Sequence, residues 1–423
     1  MSTAELYMSD EEIADFIRET KKEPQWFYGD EGREYGVCPF ITFYVYHHDE
    51  DFLPLADKMI RIHRTLEGMI DTPYQMVLKS STETWFKAGS SRLPSDLHEE
   101  ARKDLDHARS FWIQATDMES PAASACWAID ARVQINSAMR YSFLKITFRH
   151  SWYLNNKARW HDFVLDCLRL LEPEQCYSGF EIGTTGAGAM GAYESDVMER
   201  ICADYFYGLD IDHPGKMGYH GHRHEEGGWI DPSDLGAGLR APTWCFLLSP
   251  HWLKKLGKDE ATVRRELDDP RIEIIRLPRS DGEASLWIRL GELALYPVEE
   301  GVPELPALAN ALIRPVRCDE LELSTLDRWD DDPNPSFDFQ SSQRWMARFD
   351  ADSDWPSPEK RRPTQPQRPE ILTALPGQPC PESGEWFAHQ LGDRKVFVEK
   401  GHPMPGPEFS TTGQVIWHLR REN

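Results

Sequence analysis

Three stretches of the sequence carry residue types whose spacing could do chemistry. Gly186, Gly188 and Gly191 make a literal G-x-G-x-x-G between the strand-like GFEI and the helix-like YESDVMERICADYF. Such a turn brings backbone amides close to a pyrophosphate, and an acid about 20 residues on, here Asp210 or Asp212, would hold a ribose. The fingerprint needs a parallel strand-helix-strand unit around it. Hairpin-like strands precede this one and the turn-rich YGLDIDHPG follows, so the stretch reads as a structural glycine loop. A second stretch holds His213, His220, His222 and His224, then Glu225 and Glu226. Three alternating histidines on one strand face could bind zinc, with a glutamate as base. Glycines interrupt the run (PGKMGYHGHRHEEGG) and no distant ligand is identifiable, which favours a solvated loop. His47, His48, Asp49, Glu50 and Asp51 read as a polar loop leading into a helix N-terminus, where acids favour the dipole. A metal- or nucleotide-dependent enzyme using the His220/His222/His224 cluster or the Gly186–Gly191 loop is therefore the alternative reading. No G-x-S-x-G elbow, phosphate loop or H-E-x-x-H helix supports it.

The third stretch is acidic and aromatic: RWDDDPNPSFDFQSSQRWMARFDADSD. Rings framed by carboxylates suit a surface that holds a basic protein, the rings giving buried anchors and the acids steering approach. The candidate partner-binding residues are Trp329, Asp330, Asp331, Asp332, Phe337, Asp338 and Trp345. The competing reading, a connector whose aromatics pack back onto the body, stays open.

Charge narrows the partner. The 423 residues hold 47 Lys and Arg against 71 Asp and Glu, a formal net charge of −24. Nucleic acid and anionic membrane surfaces are poor partners for such a chain, and a basic protein is the natural complement. The N-terminal sequence has acids where a secretory signal needs basic residues, no segment approaches the roughly 20 apolar residues of a membrane span, and the eight cysteines show no C-x-x-C pairing. A cytoplasmic protein with buried thiols and no cofactor is expected.

The elements that must position these residues are hairpins mixed with helices. PFITFYVY (39–46) is β-branched and aromatic, and Leu55, Met59, Ile62 and Leu66 follow at helical spacing. Residues 127–135 alternate apolar and polar, YSFLKITFR (141–149) is a second strand, and the short connection between them suits an antiparallel hairpin. Trp160, Phe163, Val164, Cys167, Leu168 and Leu171 form the stripe of a helix lying on a sheet. TWCFLL leads into a helical stretch over 250–267, and Ile272–Leu277 pairs with Leu286–Leu290 around Asp281-Gly282. The fold class is α+β, with mixed, largely antiparallel sheets flanked by helices. Four segments are expected: a leader (1–30), an α+β body (31–320), the acidic aromatic segment, in which regular structure fades, with a Pro-rich linker (321–370), and a small C-terminal β module (371–423).

The blocks YFYGLDIDHPG, GLRAPTWCFLLSPHWLKKLG, WIRLGELALYP and LIRPVR, in that order, resemble the TsiV-like family of type VI secretion immunity proteins. The tail, with CPESGEW, GHPMP and GQVIW, looks like a module that ends other toxin-associated proteins. The resemblance implies a non-catalytic antidote that binds a co-produced secreted toxin, usually a nuclease. A nuclease must carry basic surface to hold phosphates, so the acidity of this chain is complementary to it.

Overall fold

The computed structural model describes residues 6–30, 33–46, 52–134, 141–183, 192–214, 238–318, 323, 332–356, 373–388, 391, 394–407, 409–410 and 413–419. The chain forms two compact units, Met1–Arg361 and Arg362–Asn423. In the first unit, helix α1 (Asp10–Lys22) precedes a small hairpin of β1 (Tyr28–Asp30) and β2 (Arg33–Tyr35). The body is one sheet of ten strands: β3 (Val37–Tyr46), β4 (Met76–Lys79), β5 (Thr84–Lys87), β6 (Ser110–Thr116), β7 (Ala128–Gln134), β8 (Tyr141–Thr147), β9 (Gln175–Ile182), β10 (Cys245–Leu248), β11 (Ile272–Pro278) and β12 (Ala284–Leu290). Their order is β11-β12-β10-β9-β3-β8-β7-β6-β4-β5, and every pairing is antiparallel.

One face of the sheet is covered by α2 (Leu53–Glu67), α3 (Leu97–His107) and α5 (Lys157–Leu171), with the short α4 (His150–Asn155) before the last. The stripe from Trp160 to Leu171 is buried against Ile41, Phe43, Leu144 and Ile146 of the central strands, as its spacing requires. Because side chains alternate along a strand, Tyr44, Tyr141 and Phe143 point to the other face. There they meet α7 (Pro250–Leu256), α8 (Glu260–Glu266) and α9 (Glu304–Ile313). A third cluster gathers α1, α6 (Ala192–Ala203) and α10 (Phe339–Met346) around Phe180 and Ile182.

Two expectations change. The helical stretch over 250–267 is two helices, because Gly257 takes φ +65° and Asp259 opens a new helix by accepting from the Thr262 amide at 2.9 Å. The acidic aromatic segment does not simply lose regular structure, since α10 lies within it. Asp338 and Ser341 form a reciprocal capping box at its start.

The second unit is a four-stranded antiparallel sheet in the order β13-β18-β14-β15: β13 (Thr373–Ala374), β18 (Trp417–Leu419), β14 (Gly384–Ala388) and β15 (Arg394–Val398). A pair of two-residue strands, β16 (Phe409–Ser410) and β17 (Gly413–Gln414), completes it. Trp386 and Trp417, both fully buried, fill a core that also holds Met404 and Val415. All eight cysteines are free, and seven are buried.

Candidate functional site

The acidic aromatic segment divides on inspection. Phe337 is 5% exposed and Trp345 is fully buried, so both rings lie in the core rather than on a surface. Phe337 stacks on Trp355 with ring centroids 6.1 Å apart, and the Arg200 guanidinium sits 5.3 Å and 5.0 Å from those two rings. For Trp345 the cause is the period of α10, which turns Ser342, Trp345 and Met346 inward. Asp332 is half-buried and accepts from the Tyr193 hydroxyl at 2.9 Å. Asp338 is exposed. Burial of part of its carboxyl would raise its pKa, but donations from Ser341 outweigh that and hold it below the usual carboxylate value. Beside it, Phe339, a ring of the same stretch outside the candidate set, is 46% exposed. Trp329, Asp330 and Asp331 lie outside the described residues.

A second constellation, which the sequence reading did not assemble, lies on the central strands. Thr42, Lys145 and Tyr177 are cross-strand neighbours on β3, β8 and β9, on the face away from α2 and α5. Lys145 Nζ donates to Glu181 Oε2 at 2.7 Å and to the Asp212 carbonyl at 2.9 Å. The Asp212 carboxylate accepts from Thr42 and Tyr44 and meets Arg240 Nη1 at 2.8 Å. Arg240 also lies 4.4 Å from the Tyr177 ring and 3.5 Å from Asp210. Arg348 donates to the carbonyls of Tyr207 and Leu209. All of these charged groups are buried.

The environment sorts their titration. Burial would raise Asp212, but Arg240 and Lys145 together pull it below the ordinary aspartate value. Burial wins at Asp210, which is raised in spite of Arg240. Arg348, desolvated and only partly compensated by Asp210, is pushed down to about 9. The segment 207–214 is pinned where it must be, with the Gly208 amide donating to the Leu295 carbonyl at 2.7 Å. A Cβ on Gly208 would lie 2.4 Å from the Ala294 carbonyl oxygen, so no larger residue fits there.

Asp210 and Asp212, the acids a nucleotide fingerprint would need, are therefore spent on buried arginine and lysine. β9, which leads into the glycine loop, has antiparallel neighbours on both sides, unlike the parallel sheet such a fingerprint serves. Gly186, Gly188 and Gly191, His220, His222 and His224, and residues 47–51 lie outside the described residues. His213 is described, and its Nε2 lies 3.0 Å from Glu199 Oε2. Elsewhere, a groove of about 650 Å³ between α2 and α5 is floored by Ile62, Met69 and Phe163 and rimmed by Arg61, Arg159 and Arg169. Among the described residues no helix is long and apolar enough to cross a membrane.

A family described as type VI immunity for VRR-NUC matches residues 74–349, a span that includes the ion cluster and α10. Among solved structures, the chain is similar to the Pseudomonas aeruginosa T6SS protein PA0821, with a TM-score of 0.62 at 15% identity over 79% of this chain and 91% of that one. At that identity the likeness speaks for the fold. No curated protein matches.

Proposed function

The chain belongs to the TsiV family of type VI immunity proteins for VRR-NUC, and from that premise we propose that it neutralises a cognate nuclease toxin in the cytoplasm by binding it directly, without catalysis. The observation that carries this reading is where the charge lies. Residues 362–423 hold seven Lys and Arg against seven Asp and Glu, so the whole formal charge of −24 falls on residues 1–361. A nuclease needs basic surface to hold phosphates, and a strongly acidic unit draws such a surface to it at long range.

The contact is proposed at the start of α10. Asp338 is exposed there, Phe339 offers an aromatic ring beside it, and the carboxylates Asp330, Asp331 and Asp332 precede it with Trp329. Phe337 and Trp345 support this surface from the core. The test is co-expression with the toxin gene, followed by association kinetics of the purified pair at increasing salt. Protection, with an association rate that falls at least about tenfold between low and high salt, is the expected result. Failure to protect, with no complex in solution, defeats the reading.

A further inference from the structure

Asp196 and Glu199 stand three residues apart on α6, so they share a face of that helix, and His213 comes to meet them from the segment that follows Leu209. One ligand atom from each lies within 4.8 Å of the other two. A single ion held at about 2.1 Å by three such groups needs them about 3.4 Å apart, a closure within reach of small side-chain rotations. Asp196 and Glu199 are 6% and 3% exposed and His213 is partly exposed, so the three atoms converge at the margin of the buried interior.

An independent observation concerns charge. Among the described residues, Lys145 holds Glu181 and the Asp212 carbonyl, Arg240 holds Asp212 and Asp210, and Glu199 faces His213 at 3.0 Å. Arg200 pairs with Asp204 at 2.8 Å. Glu181 is 1% exposed, its Oε1 has no hydrogen-bond partner, and it feels the charge of Glu199. Buried carboxylates that feel each other's charge, one of them with an unsatisfied oxygen, are relieved by a proton or by a cation. Here the ligand set for a cation includes one of that pair, Glu199.

We propose that Asp196, Glu199 and His213 bind one divalent transition-metal ion, of the zinc or manganese class, which ties α6 to the segment 209–214. One imidazole nitrogen with two carboxylates suits these ions, whereas magnesium and calcium favour all-oxygen sites. The role is structural and does not rest on the toxin reading.

The test is metal titration of the full-length protein, stripped with chelator, followed by calorimetry and thermal unfolding with Zn²⁺, Mn²⁺ and Mg²⁺. One equivalent of Zn²⁺ or Mn²⁺ should bind and raise the unfolding temperature by a few degrees, with Mg²⁺ far weaker. His213→Ala and Glu199→Gln should each weaken binding at least about tenfold. Circular dichroism checks that the variants fold, and the wild-type stoichiometry stands as a test even if one of them does not. No saturable binding by the wild type overturns the site. So does affinity unchanged in His213→Ala but lost when His220, His222 and His224 are replaced, which would place the ion in that stretch.

Discussion

Lys145 and Glu181 sit on strands that do not touch, β8 and β9, and their side chains join over the strand between them with Nζ 2.7 Å from Oε2. The pair is fully desolvated, so its worth depends on both members being present. Lys145→Met should remove about 3–5 kcal/mol of stability, because it leaves Glu181 and Asp212 short of a partner. Lys145→Met with Glu181→Leu should lose less than the single change. Guanidinium unfolding midpoints of the two variants check this, and a double variant weaker than the single one contradicts it.

Long-range steering should follow the division of charge between the two units. Replacing Asp330, Asp331 and Asp332 with Lys should slow association with the toxin about tenfold at low salt and little at high salt. The same reversal at Glu382 and Glu385, in the electrically neutral C-terminal unit, should leave the rate nearly unchanged. Stopped-flow association rates at two ionic strengths decide between them, and equal slowing by both sets would sink the steering argument.

The two ends of α10 should answer differently to truncation. Trp345→Ala empties a fully buried site and should destabilise the first unit by about 3–5 kcal/mol. Asp338→Ala removes a capping carboxylate and should lose about 1 kcal/mol. Phe339→Ala should leave stability within about 0.5 kcal/mol while weakening the toxin complex, as an exposed anchor does. Thermal unfolding and equilibrium binding, measured on the same three proteins, separate the effects.

Acid should weaken the fold through its histidines. Burial, with Arg64 adding to it, holds His63 at about 4, whereas in the unfolded chain it titrates near 6.5. As pH falls below about 6.5 the unfolded chain takes up the proton first, so stability declines until about pH 4, by at most about 3 kcal/mol for this residue. His161, also held at about 4, chiefly by burial, acts in the same direction. His63→Phe keeps a ring against Tyr74 and should flatten part of this slope in urea midpoints taken from pH 7 to 4.

Much of the fold was legible because its strands and helices announce themselves by period. The stripe on α5 reflects one buried face, the β-branched run ending at Tyr46 a strand buried on both faces, and the alternation over 128–134 a strand whose polar Asp130 and Gln134 are buried as well. The break at Gly257 was harder to see, since apolar spacing continues through it and only the glycine conformation and the Asp259 cap end the helix. The ion cluster was missed for a physical reason: its members come from β8, β9, α6, Asp210, Asp212 and Arg240, joined only by the tertiary fold. A clue was present all the same. A lysine within YSFLKITF and a glutamate within GFEI are charges in strands with no exposed face, and each demands a partner. For Trp345 the clue was the Asp338/Ser341 capping pattern, which starts a helix and so decides which ring of it turns inward.

The strand order also sets a clock on protection. β3 ends at Tyr46, yet its neighbours β8 and β9 are not fully made until Ile182. At roughly 5–20 residues per second, ribosomal synthesis leaves β3, with its Ile41 and Phe43 face, without its full sheet for roughly 7–27 s. A nascent chain in that interval presents an unpaired apolar edge. Each new molecule is thus vulnerable to aggregation before it has folded and, on the function proposed above, a cell that has only begun to make it is not yet immune.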